Sequence, residues 1–559
     1  MKFCAAVSAI LFAASFAARA DGPVPTPEQL AWQKMEMTMF CHFGVNTFTD
    51  REWGQGTEDE KIFNPTDLDC RQWARAAKTG GFKLMILTAK HHDGFCLWPS
   101  KFTEHCVKNS PWKDGEGDVV REFVDACRAE DLKVGLYLSP WDRHEKTYGT
   151  DGYNDHFCNQ LTELLTNYGQ IDEVWFDGAC GEGPNGKKQV YDWKRFYALI
   201  RKLQPHALIA ISGPDVRWVG NESGFAREGE SSVRNANEHQ REHAVDGKVW
   251  FPAECDVSIR PGWFYHAHED AKVKSLEHLM DIYFKSVGRN SDLLLNIPPA
   301  RRGRFADPDV KRLQEFGDTI RGLFANEIAH GVANTDVEFG GEKAFNLANV
   351  QEDISKGERV KSYRVEARSG GEWKTVARGT VIGNRNLHRI AEVTADAARV
   401  VIEKCDGEPL VTWSLHKAMP VGLWAKSSGS LTAGKPAEAS NVHGNSTEYG
   451  GDKACDGDRN TRWATGDSTR ACWLEVDLLG EQNIGRVAIS ELEPRITKFQ
   501  IEYRNDKSAP WQTAYSGGKA GKDFHADFAP VKARFVRLNI LDATFAPTIW
   551  EFELFPPAK

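Results

Sequence analysis

Phe82-Lys83-Leu84-Met85-Ile86-Leu87-Thr88-Ala89-Lys90-His91-His92-Asp93-Gly94-Phe95 is a short apolar run that breaks off into a polar, histidine-rich turn. The run reads as a strand, and the turn as the end where chemistry collects. The same texture recurs on both sides, in Met37 to Val45, Lys133 to Ser139, Glu173 to Phe176, Ala207 to Ser212, Val249 to Ala253 and Asp292 to Ile297. Amphipathic stretches alternate with these runs: Cys70 to Thr79, Val119 to Asp131, His156 to Tyr168, Tyr191 to Leu203 and Ser275 to Val287. Strand and helix alternating over about 300 residues predict a (β/α)8-type barrel. One strand is hard to place and is expected near Trp263 to His266.

Beyond about residue 327 the runs shorten and turn residues separate them, as in Val360 to Ala367, Arg399 to Ile402 and Leu410 to Ser414. This predicts a β-sandwich. A small-residue stretch, Ser427 to Ser440, reads as a linker to a second all-β unit. The expected fold is α/β plus all-β, with a leader at 1–20, a barrel at 21–326 and β-sandwiches at 327–425 and 426–559. That many modules suits a chain of 559 residues.

Lys2, the apolar run Cys4 to Ala18 and the small-residue pattern Ala18-Arg19-Ala20 read as a secretory leader. An exported protein, periplasmic or extracellular, is therefore expected. No other apolar stretch is long enough to span a bilayer. The net charge of -9 and the lack of a basic run argue against a nucleic-acid partner. The 12 cysteines show no C-x-x-C spacing. They demand no disulfide framework, leave one or two bridges open and make a zinc site a poor reading. The 18 Trp outnumber the 12 Tyr, and Trp53, Trp141, Trp175, Trp218 and Trp263 fall at strand ends or in their loops.

In such a barrel the residues just after each strand face a common pocket. Here they are Cys41-His42-Phe43-Gly44, Lys90 to Phe95, Tyr137 to Asp142, Trp175-Phe176-Asp177-Gly178 and Gly213 to Glu222. Carboxylates, histidines and tryptophans without a phosphate-cradling glycine loop suit a neutral polyhydroxylated ligand, because aromatic faces pack on a pyranose and His, Asp and Glu bind its hydroxyls. Glycoside cleavage needs two carboxyl groups in different protonation states, and Asp177 and Glu222 are the candidates.

His42-Phe43-Gly44, Lys90 to Phe95, Trp175 to Gly178, and Gly288-Arg289-Asn290 with Leu293-Leu294-Leu295-Asn296 resemble the α-L-fucosidases of glycoside hydrolase family 29 over about residues 25 to 420. Pro252 to His266 resembles the branch that prefers α-1,3/1,4-linked fucose. The resemblance implies a retaining double displacement with Asp177 as nucleophile and Glu222 as acid/base, Glu228 and Glu230 remaining alternatives. It also implies fucose contacts from His42, Glu52, Trp53, His91, His92, Tyr137, Trp175 and Trp263, and no cofactor for catalysis. Glu230-Ser231-Ser232 departs from the pattern of a Trp after the Glu, so a hydrophobic wall on the acceptor side is expected to be missing.

Ala454 to Trp463 and Trp550 to Leu554 resemble discoidin-type (coagulation factor 5/8 C-terminal) domains, including carbohydrate-binding module family 32. The resemblance implies a structural calcium held by Asp456, Asp458, Thr461 and Glu551. The implied partners are fucosylated oligosaccharides or glycoproteins. A broad-specificity fucosidase and a non-catalytic glycan-binding barrel stay open as alternatives.

Overall fold

The computed structural model describes residues 22–237, 240, 244–419, 430–446, 449–457 and 461–557. The leader read at 1–20 lies outside them. The chain forms two compact units, residues 1–423 and 424–559.

Eight parallel strands build the first unit: β1 (Met37–Cys41), β2 (Leu84–Lys90), β3 (Lys133–Leu138), β4 (Glu173–Phe176), β5 (Leu208–Ile211), β6 (Arg217–Trp218), β7 (Ala253–Ser258) and β8 (Asp292–Asn296). They pair in the order β5-β4-β3-β2-β1-β8-β7-β6, and a parallel bridge from Ala210 to Val216 closes the ring between β5 and β6. Strands covered on both faces read as near-continuous apolar runs, and all seven residues of β2 are buried. The interior is filled by Phe40, Leu84, Ile86, Tyr137, Trp175, Leu208, Ala210 and Leu294. Trp32, on the N-terminal helix α1 (Pro27–Gln33), joins that cluster and donates its indole N–H to Glu173 (2.9 Å).

Helices α2 (Cys70–Gly80), α3 (Val119–Ala129), α4 (Gly152–Asn167) and α5 (Trp193–Leu203) follow the first four strands, α6 (Leu276–Lys285) follows β7, and α7 (Asp307–Phe324) follows β8. The start of α2 shows how the sequence sets these ends: Asp69 accepts from the Gln72 amide, and Gly81 closes the helix at φ 94°. No helix separates β5 from β6. The chain reverses at Ser212-Gly213-Pro214, where a Cβ on Gly213 would stand 2.4 Å from the Ile209 carbonyl oxygen, and Asp215 folds back to accept from the Ile209 amide (2.8 Å).

Two expectations change here. The strand that was hard to place is the two-residue β6, whereas Trp263 to His266 lies outside every strand. Val249 and Trp250 belong to a short antiparallel pair, Val233–Asn235 with Lys248–Trp250, and the barrel strand begins only at Ala253.

A six-stranded antiparallel sheet completes the unit: β9 (Glu327–Val332), β10 (Val337–Glu352), β11 (Val360–Ser369), β12 (Glu372–Gly379), β13 (Asn386–Cys405) and β14 (Val411–His416). It packs its own core around Phe345, Tyr363, Val365, Val400 and Trp413. Gly288-Arg289-Asn290 meets this sheet: Leu387 N–H donates to the Gly288 carbonyl (3.0 Å), and Asn290 donates to Glu358 (2.7 Å) and accepts from the Asn384 amide (2.7 Å). That motif joins the barrel to the sheet.

The second unit is an antiparallel sheet fold of β15 (Ala437–Ala439), β16 (Trp463–Ala464), β17 (Cys472–Glu491), β18 (Ile496–Arg504), β19 (Gln512–Gly517), β20 (Phe524–Ala543) and β21 (Thr548–Phe555) around Trp463, Phe499, Leu538 and Phe552. The expected linker is shorter than Ser427 to Ser440. Leu431 packs on this core, Thr432 is buried and bonds the Phe552 carbonyl (2.8 Å), and Ala437–Ala439 pairs with β17. All eleven described cysteines, Cys41 and Cys180 among them, are free thiols.

Candidate active site

A cavity of about 360 Å³ is lined from the C-terminal ends of the barrel strands by His42, Glu52, Trp53, His91, His92, Trp175, Asp177, Glu222 and Trp263. Nine of the ten expected barrel-site residues thus meet in one place. The tenth, Tyr137, is fully buried and reaches the cavity through Asp177.

Asp177 follows β4 directly. Its Oδ1 accepts from the Ala179 amide (2.6 Å) and its Oδ2 from the Tyr137 hydroxyl (3.1 Å), with His92 Nε2 3.8 Å away. Burial, reinforced by the Asp177 charge, pushes the Tyr137 hydroxyl well above the usual phenol range, so it stays a donor. Both carboxylate oxygens are therefore held.

The three histidines are neutral. Burial lowers His42 to about 3 and His92 to about 4, and drives His91 well below the ordinary imidazole value. Their tautomers follow from their neighbours. The Ser139 hydroxyl gives its hydrogen to the Trp141 carbonyl (2.7 Å), so His92 Nδ1–H donates to Ser139 (2.7 Å) and Nε2 is left as an acceptor. The Asn296 amide donates to the Trp263 carbonyl (2.8 Å), so its oxygen accepts from His42 Nδ1–H (2.9 Å), again leaving Nε2 an acceptor. Neutral rings of this kind bind hydroxyl groups and add no positive charge.

The aromatic walls differ in exposure. Trp175 is buried, donates to Glu254 (2.8 Å) and packs edge-on against Phe40 and Tyr137. Trp53 is 55% exposed and stands at right angles to His92 and Trp141. Trp263 lies 5.1 Å from His42, ring to ring. Glu52 fixes that segment: it accepts from the Trp263 and Phe264 amides (2.7 and 3.2 Å) and from His266 (2.7 Å). Gly262 makes the approach feasible, since a Cβ there would stand 2.3 Å from the Glu52 carboxylate. His266 also bonds Asp50 (2.8 Å). Burial opposes its charge, but the hydrogen bonds it donates to Asp50 and Glu52 outweigh it and hold the imidazole above its ordinary value.

The three glutamates after β5 separate clearly. Glu222 is exposed on the cavity wall. Glu228 is exposed, outside the cavity, and sits 3.4 Å from Arg289. Glu230 is 2% exposed, away from the cavity, and neutralised by Arg217 and Arg234. Ser231 and Ser232 bind Glu358 of the antiparallel sheet (2.6 and 2.8 Å). Residues 230–232 are therefore tied into the junction with that sheet, and the cavity wall on this side is Trp218.

Sequence reasoning left Asp256 without a role. It lines the cavity from β7, accepts from Trp218 Nε1 (2.7 Å) and is raised to about 7 by burial, aided by the charges of Glu222 and Asp177. The signal was alternation: Glu254, Asp256 and Ser258 occupy every second position of one strand and so share one face of it.

In the second unit, the Thr461 hydroxyl donates to Asp456 (2.7 Å), and Glu551 is buried. After burial, the charges of Glu551 and Asp456 are the largest influences that raise the Cys455 thiol, so both carboxylates approach that residue. Asp458 lies outside the described residues. Among the described residues no group of three or more His, Cys, Asp or Glu is arranged to hold a metal. No described helix is long and apolar enough to cross a membrane.

Two carboxyl groups at the C-terminal end of a parallel barrel, set among neutral imidazoles and indole faces, define a glycoside hydrolase site. The α-L-fucosidase family model matches residues 22–321, and the chain belongs to that family, glycoside hydrolase family 29. α-L-Fucosidase activity follows from this membership. Alpha-L-fucosidase 1 of Arabidopsis thaliana is 41% identical over 442 residues, 70% of this chain and 87% of its own length. A crystal structure of a glycoside hydrolase 29 family member from an unknown rumen bacterium is 36% identical with a TM-score of 0.68, covering 95% of this chain and 99% of that one. A Ruminococcus gnavus GH29 fucosidase in complex with fucose is 28% identical with a TM-score of 0.52, covering 98% and 97%. The F5/8 type C domain model matches residues 436–552.

Proposed function

We propose that the protein is a retaining exo-α-L-fucosidase that removes terminal α-1,3/1,4-linked L-fucose from branched, Lewis-type oligosaccharides and glycoproteins. The observation that carries this reading is Asp177, held at both oxygens on the wall of a cavity that it shares with Glu222. Asp177 Oδ2 attacks the anomeric carbon while Glu222 gives its proton to the departing glycosidic oxygen, leaving a fucosyl ester on Asp177. Glu222, now ionised, takes a proton from water; the water oxygen bonds the anomeric carbon and the Asp177 carboxylate leaves. His42, His91 and His92 bind the fucose hydroxyls, and Trp175 and Trp263 pack against the ring.

Asp177→Ala should abolish fucose release from a Lewis-type trisaccharide in a protein of unchanged melting temperature; full turnover would sink the assignment. Glu222→Ala should regain activity with azide and yield a fucosyl azide. A faster rate on a simple aryl fucoside than on the trisaccharide would favour a broad-specificity enzyme. Segment 1–20 supports export, to the periplasm or beyond the cell; a mature protein whose sequenced N-terminus still carried Met1 would refute it. The hydroxyl–carboxylate pair of Thr461 and Asp456, with Glu551, supplies the hard oxygen ligands that a calcium ion takes. Calcium held there, with Asp458 as a further ligand, would brace the loop and leave catalysis to the barrel. The discoidin-like unit would hold the enzyme on glycan surfaces. EDTA should lower its melting temperature and calcium restore it, and an unchanged melting curve would remove the ion from the account.

A further inference from the structure

Trp218 has no part in the chemistry proposed above, yet it lines the same cavity and remains 43% exposed. An exposed indole at a strand end is ordinarily free to turn. This one is not: its single polar atom, Nε1, donates to Asp256 Oδ1 at 2.7 Å, and Asp256 is itself only 6% exposed on the neighbouring strand β7. The two strands pair in register, with Trp218 opposite Glu254, so the backbone fixes the distance from which the indole reaches the carboxyl. A buried acceptor that ties down the N–H leaves the apolar ring presented at the cavity wall.

Position along the chain says what that ring meets. Glu222 follows four residues later and lines the same cavity. A group that protonates the glycosidic oxygen stands at the bond between fucose and its leaving sugar, so its neighbours on the cavity wall can face the leaving sugar. The segment expected from the sequence to flank that side, Glu230-Ser231-Ser232, is occupied with Arg217, Arg234 and Glu358. Trp218, four residues before Glu222 and on the same cavity wall, offers an exposed apolar surface there.

We propose that Trp218 is the stacking platform for the first pyranose of the leaving group, and that Asp256 is the positioning residue that fixes its orientation. The ligand class is a hexopyranose with an apolar face, linked through a secondary hydroxyl to fucose. The proposal rests on Asp177 and Glu222 cleaving a fucoside. Asp256 is raised to about 7, and its Oδ1 accepts from the indole whether the carboxyl is neutral or ionised, so the platform holds across the neutral range.

The test compares two substrates in the full-length protein: a fucosylated trisaccharide, which has a leaving sugar, and α-fucosyl fluoride, which has none. For Trp218→Ala the ratio of kcat/KM for the trisaccharide to that for the fluoride should fall about tenfold, the scale of one lost aromatic contact. The loss should appear largely in KM. Trp218→Phe, which keeps a ring but cannot donate, should fall part of the way. Asp256→Leu should lower the ratio like Trp218→Ala, whereas Asp256→Asn, whose amide oxygen still accepts from the indole, should restore it to within about twofold of wild type. Equal losses on both substrates in Trp218→Ala would overturn the platform. A wild-type ratio in Asp256→Leu would overturn the positioning role. Wild-type protein that releases no fluoride would instead refute the fucosidase reading on which the proposal rests.

Discussion

Tyr137→Phe isolates one hydrogen bond at Asp177, the carboxylate proposed as nucleophile. The ring is fully buried against Phe40, His42, His91 and Trp175, so phenylalanine keeps the packing and loses only the hydroxyl. What disappears is the 3.1 Å bond to Asp177 Oδ2; the Ala179 amide still holds Oδ1. A hydrogen bond to an ionised group contributes about 1.5–3 kcal/mol, roughly ten- to hundredfold in a rate if all of it is felt. Its effect on the two steps is opposite. While Asp177 attacks, its negative charge is being spent, so the lost donor leaves the carboxylate less stabilised and no slower to react. When the fucosyl ester breaks, the charge returns to Asp177 and the missing donor is felt. We therefore expect kcat on an activated aryl fucoside to fall about tenfold, KM to fall with it, and kcat/KM to change by less than about threefold. The fucosyl-enzyme should accumulate, giving a burst of aryl alcohol and an adduct in the intact mass. A kcat within twofold of wild type, or a KM that rises, would refute the assignment of Tyr137 as a donor to the departing carboxylate.

Glu230→Ala should destabilise the barrel by about 3 kcal/mol, because it removes the buried carboxylate that pairs Arg217 and Arg234, and azide should not restore its activity; an undiminished melting temperature would contradict the buried ion pair. Asp256, at about 7 in the folded protein against an ordinary 3.8, contributes stability that is fully present below pH 3.8 and is lost as pH rises through 7, at most about 4 kcal/mol. Asp256→Asn should therefore flatten the alkaline limb of a melting-temperature profile, and parallel profiles would refute it. His42 and His92 carry the opposite sign. With folded values of about 3 and 4 below the ordinary 6.5, their stability is present above pH 6.5 and is lost as pH falls toward 4, about 2 kcal/mol each at pH 5. His42→Gln should lessen the acid loss seen in urea unfolding at pH 5 relative to pH 7.5, and an unchanged loss would count against a neutral buried imidazole.

The first five strands could be read directly because each is a run of apolar residues long enough to stand out, as in Leu84–Lys90, and each ends in a recognisable polar turn. The sixth could not, because two residues carry no periodicity and no helix precedes them. Trp263-Phe264-Tyr265 looks like a strand by composition, since aromatic residues favour sheets, but its backbone amides are taken by Glu52, a contact made across 211 residues of sequence. The small-residue stretch after Ser427 looked like a linker for a comparable reason: Leu431 packs on the core and Thr432 is buried and bonded to Phe552, 120 residues away in the chain. Among the site residues, those adjacent to strand ends were legible. Asp256 was hidden inside a strand, where only alternation marks it.

The electrostatics of the barrel explain why so many ionisable groups can surround one reaction. Glu173, Glu254 and Asp292 occupy the interior strands, and burial raises all three, with the charge of a neighbouring carboxyl adding to each. Raised carboxyls hold their protons, so Trp32, Trp175 and Thr38 donate to neutral acceptors and the interior carries little charge. The same burial neutralises His42, His91 and His92. At the cavity rim, Glu52 is paired with His266. An oxocarbenium-like transition state is positive at the ring, and positive imidazoles around it would oppose its formation. Burial therefore supplies hydroxyl-binding groups that add no positive charge beside Asp177, the carboxylate proposed as nucleophile.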